Sequence, residues 1–339
     1  MNLATLVVHD APSQFSSLTH SLFALLRGSG IDASYDDLHA ALGLSFRMVA
    51  APPPTCPAQW FTYGEDLYLE DTAALYGVQL RPLHPRAAAA GLDDYDAYRQ
   101  HFLASYVPLI RTALAHDQAV LAWRGWPDAG ANDWGIVTTH HHFGMELAGT
   151  TVSAHGHVVP LLDPPHQCYV VEQVDPRQLR PLDILSITVA RAIECSSSSG
   201  ESIDKMVVGP AAWNAWLERV GNRVTCPAIG HHGPACHIHL ARIIIAARES
   251  ALRFFQFHRD ELGPQRRTAF DTVIDACGRT VTALRRIVNR ALPMSGESPE
   301  WRELLLYAAE TAGAADADAL RALHEWPACD RNRTAPWST

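Results

Sequence analysis

The sequence has no long apolar run and no basic stripe, and each absence excludes a class of protein. No segment approaches the roughly 18 uninterrupted apolar residues that a membrane helix requires. The formal net charge of −9 and the pI near 6.0 argue against a polyanionic partner, because counterion release from phosphates needs a basic surface. The sequence therefore predicts neither a membrane nor a nucleic-acid partner.

Cysteine is also sparse, with seven residues spread over 339 positions and no CxxC pair. An odd number of widely spaced cysteines is typical of reduced thiols rather than of a disulfide framework. The first 13 residues carry only a short apolar run without a basic leader, which indicates a strand rather than a signal peptide. Both features favour a cytoplasmic protein.

A hydrophobic content of 47% and a charged content of 19% are typical of a globular protein long enough for two domains. The pattern changes near Pro181, which predicts a first domain over residues 1–181, a second over 182–330 and a tail over 331–339. Helical periodicity in the second domain covers residues 184–195, 210–220, 239–258, 268–290, 299–312 and 316–325.

The first half combines helices with short strand-like runs. Leucines spaced at i, i+4, i+7 and i+8 from Leu18 predict a helix that ends near Gly28. Ser34 opens a capping-box pattern for a second helix, and Pro108 should kink or restart a third helix over residues 98–115. Short runs over residues 119–123, 134–138, 158–162 and 169–174 predict a small antiparallel sheet.

Several segments of the first half together resemble the N-terminal domain family of the butirosin-biosynthesis acyltransferase, which is similar to the double-glycine peptidases. They are SSLTHSLFALLRGSG, SYDDLHAALGLSFRM, the strand pair AVLAW and DWGIV, and the later LLDP. The resemblance implies an α+β protein, with a papain-like N-terminal domain followed by an all-α domain. It also implies a nucleophile at the start of the opening helix and a base on the sheet.

At the residues that carry the family's chemistry, this sequence departs from the pattern. The nucleophilic Cys position falls at about Ser16 or Ser17, and the His position before WGIV is occupied by Asp133. Asp163 of LLDP matches the family's acidic partner. A serine without a neighbouring base is a poor nucleophile near neutral pH, and an aspartate is a poor substitute for histidine as that base.

Each of these residues also has a structural interpretation. Ser17 suits a helix N-cap, and Asp133 suits a turn, although its carboxylate could instead fix a ligand amine or a metal ion. Asp163 with Pro164 is a common turn opener. Cys56 follows a rigid proline run and is the thiol of the first half best placed to act as a substitute nucleophile.

The predicted substrate-binding set consists of Trp126, Trp134 and His237. Trp126 lies in the turn-rich segment WRGWPDAGAND, where an aromatic ring would cover a pocket, whereas core packing is the alternative for both tryptophans. His237 precedes a long helix and would line a cleft.

A second cluster, CPAIGHHGPACHIH, has a composition that suits a metal ion. Zinc and copper prefer thiolate and imidazole ligands, although the spacing matches no standard zinc finger. The alternative is a loop that leads into the following helix. The candidate ligands are Cys226, His231, His232, Cys236 and His239.

Two functional hypotheses follow. The first is an acyltransferase or amide hydrolase of small-molecule metabolism with a remodelled site. The second is a catalytically inactive protein that keeps the cleft to bind a peptide or an amine-bearing metabolite, with a metal in the His/Cys cluster as an optional part of either.

Overall fold

The structure is a computed structural model that describes most of the chain. The described residues are 3, 6–8, 15–51, 58, 64–83, 95–127, 132–141, 146–177, 179–197, 207–222, 233–262, 264–290 and 298–326. The chain divides into two compact units, the first formed by Met1–Leu42 with Gly64–Leu179 and the second by Gly43–Tyr63 with Arg180–Thr339. Helices and an antiparallel sheet make this an α+β protein, as the sequence predicts.

The first unit opens with two helices whose start signals are visible in the sequence. Helix α1 covers Ser17–Gly28, and its predicted leucine stripe is fully buried. Helix α2 covers Tyr35–Ala41, and the Ser34 hydroxyl accepts a hydrogen bond from the Asp37 amide at 3.0 Å. The predicted cap of α2 is therefore confirmed.

The remaining helices of the first unit are short. They are α3 (Leu69–Leu75), α4 (Tyr95–His101) and α5 (Val107–Ala115), with a π-helical turn over Phe102–Tyr106 between α4 and α5. Pro108 lies at the start of α5. Because proline has no backbone N–H to donate to the preceding turn, the regular helix is interrupted before it and begins again, as predicted.

An antiparallel sheet with the strand order β2-β7-β3-β4-β5-β6 forms the rest of the first unit. The strands are β2 (Val78–Pro82), β3 (Val120–Trp123), β4 (Trp134–His141), β5 (Glu146–Thr151), β6 (Val159–Pro160) and β7 (Gln167–Val174). Strand β3 is central, since Val120 pairs with Val137 on β4 and with Val170 on β7. All four residues of β3 are buried.

Strand β5 was not predicted, because its sequence ELAGTT contains a glycine and lacks a strong strand pattern. The sheet itself requires that glycine. A Cβ atom at Gly149 would lie 1.9 Å from the carbonyl oxygen of Ile136 on the neighbouring strand. The residue that weakens the sequence signal is therefore the one that lets the two backbones approach.

The second unit is mainly helical. Its helices are α6 (Pro181–Ser197), α7 (Pro210–Gly221), α8 (Gly233–His258), α9 (Pro264–Val288) and α10 (Pro299–Glu325). The prediction of two separate C-terminal helices is wrong, because α10 continues through Gly313 without a break. Packing of α10 against α9 and α7 compensates for the low helix propensity of glycine.

The second unit also contains a segment that the sequence division assigned to the first domain. Strand β1 (Val49–Ala50) pairs antiparallel with β8 (Val207–Val208), so the unit is not all-α as predicted. Residues 43–63 group with the second unit, and among those that the structure describes, Met48, Val49, Ala50 and Ala58 belong to its core. The predicted tail, 331–339, lies outside the described residues.

A buried ion pair lies at the centre of the second unit. The Arg248 side chain is fully buried and forms two hydrogen bonds with Asp316, one of them 2.7 Å from Nη2 to Oδ2. Its remaining donors reach the carbonyl oxygens of Ser45 and Phe46, and Asp316 also accepts a hydrogen bond from Trp213 Nε1 at 3.1 Å. The pair therefore connects α8, α10, α7 and the 43–63 segment.

None of the helices in the described ranges combines the length and the apolar character that a bilayer crossing requires.

Replacing Arg248 by methionine should destabilise the second unit by about 3–5 kcal/mol, because Asp316 would remain buried without its counter-charge. Replacing Arg259 by methionine is the matched control, since its ion pair with Asp271 is about half exposed and should contribute less than about 1 kcal/mol. Urea unfolding followed by circular dichroism at 222 nm measures both. Equal losses in the two variants would contradict the central role of the buried pair.

Candidate functional site

Helix α1 begins one residue earlier than the sequence interpretation assumed. Ser16, not Ser17, is the N-cap, and its Oγ accepts a hydrogen bond from the Thr19 amide at 3.1 Å. Ser17 is the first helical residue and is 5% exposed. The proposed N-cap role therefore belongs to its neighbour, which leaves the Ser17 hydroxyl available for another contact.

The Ser17 hydroxyl connects the start of α1 to the start of β4. Its Oγ accepts a hydrogen bond from the backbone N–H of Trp134 at 2.9 Å, and both groups are buried. Trp134 directly follows Asp133, so the two positions that the resemblance assigns to nucleophile and base do lie at adjacent element ends. Among the described residues, however, the Ser17 hydroxyl has no histidine or carboxylate partner.

The Asp133 carboxylate is half-buried, and one of its contacts is with the backbone. Its Oδ2 accepts a hydrogen bond from the Ser153 amide at 3.1 Å, in the 3₁₀ turn Val152–Ala154. The N-cap of that turn is Thr151, whose Oγ1 accepts from the Ala154 amide at 3.2 Å. Asp133 therefore stabilises the turn after β5, as an acidic group does at the start of any helical turn.

The tight turn at Arg124–Gly125 is hydrogen-bonded to the backbones of both Asp133 and Asp163. The Arg124 amide donates to the Asp133 carbonyl at 2.9 Å, and the Asp163 amide donates to the Gly125 carbonyl at 3.1 Å. Arg124 and Gly125 both have positive φ, of 69° and 86°. Such a conformation is strained for arginine, and strained backbone of this kind clusters at functional sites.

The two carboxylates near this turn differ in exposure. Asp163 is exposed, whereas Asp133 is half-buried. Arg124 stacks its guanidinium 4.9 Å from the Trp123 ring centre, and its Nε donates to Asn132 Oδ1 at 3.0 Å. We refer to the surface formed by Arg124, Asn132, Asp133 and Asp163 as the turn site.

An aromatic row lies beneath the turn site. The ring centres of Trp123 and Trp134 are 6.2 Å apart, and those of Trp134 and Tyr169 are 6.1 Å apart. The row ends at a buried acid, since the Tyr169 hydroxyl donates to Asp66 Oδ2 at 2.6 Å. His166 contacts Trp123 edge-on at 5.6 Å and is the half-buried histidine of this region that the sequence analysis missed.

A second group of unpredicted residues packs against the inner face of α1. The Tyr35 ring lies between His20 and His39, at centre-to-centre distances of 4.7 and 5.6 Å. Its hydroxyl accepts a hydrogen bond from the Ser16 amide at 3.3 Å. Burial strongly raises the pKa of Tyr35. No local motif marks these residues, because i, i+4 spacing of Tyr35 and His39 on α2 is common on any helix.

The predicted substrate-binding tryptophans are core residues in the structure. Trp126 is 3% exposed and donates from Nε1 to the Ala122 carbonyl at 3.3 Å, and Trp134 is 1% exposed. Neither ring is open to a ligand. The turn chemistry around Trp126 suggested a surface loop, but Gly135 lacks a side chain and makes room for the indole beside β4.

His237 is also buried, within the core of the second unit. Its ring lies 6.4 Å from Trp216 and 6.3 Å from Trp301, and its Nδ1 accepts a hydrogen bond from Trp216 Nε1 at 2.8 Å. Burial, followed by the nearby charge of Arg219, lowers the pKa of His237 to about 4. The neutral imidazole is the form that suits this place, and it faces two tryptophans rather than a cleft.

The predicted metal ligands are only partly described. Cys236 is buried and His239 is exposed on α8, one turn apart. Desolvation and the Arg242 charge lower the pKa of His239. Within the described ranges no group of three or more His, Cys, Asp or Glu side chains is placed to hold a metal ion.

The other candidate ligands, Cys226, His231 and His232, lie outside the described residues, as does the candidate nucleophile Cys56. The zinc or copper site and the thiol nucleophile therefore stay predictions.

Comparison with known proteins adds no assignment: no protein-family model matches the chain, and no curated protein matches it significantly.

Replacing Ser17 by alanine should lower the free energy of unfolding by about 1–3 kcal/mol, because the buried Trp134 amide would lose its acceptor. Replacing Ser105, an exposed serine in the same unit, should change it by less than about 0.5 kcal/mol. Urea unfolding of both variants tests the structural role of the Ser17 hydroxyl. A Ser17→Ala protein as stable as the Ser105→Ala control would contradict that role.

Stability should fall as the pH decreases from about 6.5 towards 4, because the unfolded chain protonates His237 in this window while the folded protein keeps it neutral. The contribution is fully present above pH 6.5 and decreases by about 1.4 kcal/mol per pH unit below it. His237→Gln retains an acceptor for Trp216 and should lose this part of the pH dependence. Urea unfolding from pH 7 to pH 4 measures the difference, and parallel curves would contradict it.

Proposed function

We propose that the protein is a catalytically inactive, papain-like binding protein for an amine-bearing metabolite or a peptide. The order of elements supports a papain-like first unit, since an opening helix precedes an antiparallel sheet and its first turn contacts the start of β4. According to this proposal, the protein keeps the papain-like scaffold but has lost nucleophilic catalysis.

The observation that carries the proposal is the hydrogen bond between the Ser17 hydroxyl and the Trp134 amide. A nucleophilic oxygen needs a base to remove its proton and a lone pair directed at the substrate. Here one lone pair of a buried hydroxyl accepts from the backbone, and no histidine or carboxylate in the described ranges accepts its proton. The position that the resemblance gives to the base is occupied by Asp133, whose carboxylate accepts from Ser153. Both groups fulfil structural roles.

The acidic residues of the turn site are the reason for proposing an amine as the ligand. The backbones of Asp133 and Asp163 are both hydrogen-bonded to the Arg124–Gly125 turn, and the Asp163 side chain is exposed. The net charge of −9 adds a long-range field that favours cations. An ammonium group would contact the exposed Asp163 carboxylate.

The acyltransferase or amide-hydrolase hypothesis requires a different arrangement. The Ser17 hydroxyl would have to leave the Trp134 amide and approach a base such as His166. Removal of Ser17 would then abolish the enzyme's activity, whereas it would lower the protein's stability only moderately. Measuring both effects separates the two hypotheses.

The purified protein should release no product above background from acyl thioesters and small amides, and Ser17→Ala and Asp133→Ala should not differ from it. The same preparation should bind spermidine, detected as an increase in melting temperature that grows with ligand concentration. Fully acetylated spermidine, which carries no charge, should give no shift.

Asp163→Asn should weaken the spermidine effect, whereas Asp117→Asn should not, because Asp117 is an exposed acid with positive φ that asparagine tolerates. Turnover that disappears in Ser17→Ala would overturn the proposal in favour of the enzyme. Equal responses of the two aspartate variants would show that spermidine responds to overall charge rather than to the turn site.

A further inference from the structure

A groove in the second unit has the size of a small-ligand site. It encloses about 320 Å³ between α7 and α10, at the lower end of the range of volumes typical of ligand pockets. One wall consists of Pro210, Trp213, Asn214 and Leu217, which follow i, i+3, i+4 and i+7 spacing and so share one face of α7. We refer to this cavity as the α7–α10 groove.

The opposite wall repeats the same spacing on α10. Glu310, Gly313, Ala314 and Ala317 occupy i, i+3, i+4 and i+7 positions, and Leu320 extends the row. Ten residues of helix span about 15 Å, which sets the length of the groove. Gly313, Ala314 and Ala317 in the middle of this wall are small, so the volume between the helices is left unfilled there.

Gly313 is the least expected residue in this wall. It interrupts an alanine-rich stretch of α10, where alanine would stabilise the helix by about 1 kcal/mol more. A Cβ atom there would meet the Trp213 ring at 3.4 Å, an ordinary contact, so packing does not require glycine. A longer side chain there would either displace the Trp213 ring or fill the groove beside it.

The lining combines apolar and aromatic surface. Phe46 and Met48 contribute to it, and both are largely buried. Trp213 is held in place by its hydrogen bond to Asp316. A fixed indole ring beside open volume is a good contact surface for an alkyl chain or a cation.

The charged residues of the lining are all acidic. Asp316 is neutralised by Arg248, which lies behind it and is not part of the lining. Glu310 is exposed at the groove and makes no ion pair or hydrogen bond with the described residues. The uncompensated charge of the groove is therefore one carboxylate at one end, with apolar surface beyond it.

We propose that the α7–α10 groove binds a small organic cation, with an ammonium group at Glu310 and an apolar body that lies along the groove between the α7 and α10 walls. The charge of Glu310 selects a cation over a neutral or anionic molecule of the same shape, and the groove length limits the apolar body to about 15 Å. This site lies wholly in the second unit and is independent of the turn site and of the proposed function.

The test uses hexylamine, 1-hexanol and hexanoate, which share one chain and differ in head-group charge. Saturation-transfer NMR titrations of the full-length protein should give a Kd on the order of 1 mM for hexylamine, as expected for so small a ligand. Hexanol should bind about fivefold more weakly, and hexanoate more weakly still.

Glu310→Gln should reduce the affinity for hexylamine to that for hexanol. Glu303→Gln is the matched control, since it removes one exposed acid from the same helix outside the groove, and it should leave all three affinities unchanged. Gly313→Leu should weaken hexylamine and hexanol alike, roughly tenfold or more, because the leucine occupies the binding volume.

Gly313→Ala should retain binding. Ala317→Leu changes an exposed residue of the same wall and should also weaken binding, so it serves as the test variant if Gly313→Leu does not fold. Equal affinities for the three probes would overturn the proposal. So would unchanged binding in both leucine variants. Loss of binding in Asp163→Asn but not in the leucine variants would place the amine site in the first unit, which overturns this inference and leaves the proposed function standing.

Discussion

The hydrogen bond from the Trp134 amide to the Ser17 hydroxyl is the interaction on which the first unit depends. It fixes the first turn of α1 against β4, and β4 pairs with the fully buried strand β3. A buried amide without an acceptor is costly, so the hydroxyl has little freedom to turn towards a substrate. This contact therefore adds a polar link between helix and sheet to the burial of the α1 leucines, and it occupies a lone pair of the Ser17 hydroxyl.

The second unit is organised around a different polar contact with a similar consequence. Arg248 and Asp316 neutralise each other inside an otherwise apolar core, and their remaining bonds hold the Trp213 ring and the carbonyl groups of the 43–63 segment. The orientation of Trp213 is thus a product of core packing. The same ring forms a wall of the α7–α10 groove, which is how a structural ion pair gives shape to a surface site.

Local sequence features predicted local structure well. The leucine stripe of α1, the Ser34 cap and the restart at Pro108 all depend on neighbours within a few residues, and the structure has each of them. The resemblance assigned Ser17 to a helix start and Asp133 to a strand start, and the structure has a hydrogen bond between Ser17 and the neighbouring Trp134 amide. The sequence could not supply the direction of the Ser17 hydroxyl, because its partner is a backbone amide more than a hundred positions away.

Long-range packing accounts for the other failures. Gly313 has the propensity of a helix breaker, yet tertiary contacts carry α10 through it. Trp126 has the neighbours of a surface loop but occupies space that Gly135 leaves open in the core. Residues 43–63 show no local sign that they belong with α7, α8 and α10. Their membership depends on pairing with β8 and on the carbonyl groups that Arg248 requires.

Because a chain is made from its N-terminus, this membership separates the parts of the second unit in time. Strand β1 leaves the ribosome before most of the first unit, whereas its partner β8 and the arginine that binds the neighbouring carbonyls are synthesised after the first unit is complete. At ordinary translation rates the delay is on the order of ten seconds. During that time Met48, Val49 and Ala50 lack the core into which they pack, and the backbone of β1 lacks its partner strand. Exposed apolar side chains and unpaired strand edges are features that make nascent chains prone to aggregate. A gene fragment beginning at residue 180 would likewise encode a helical unit without its first strand.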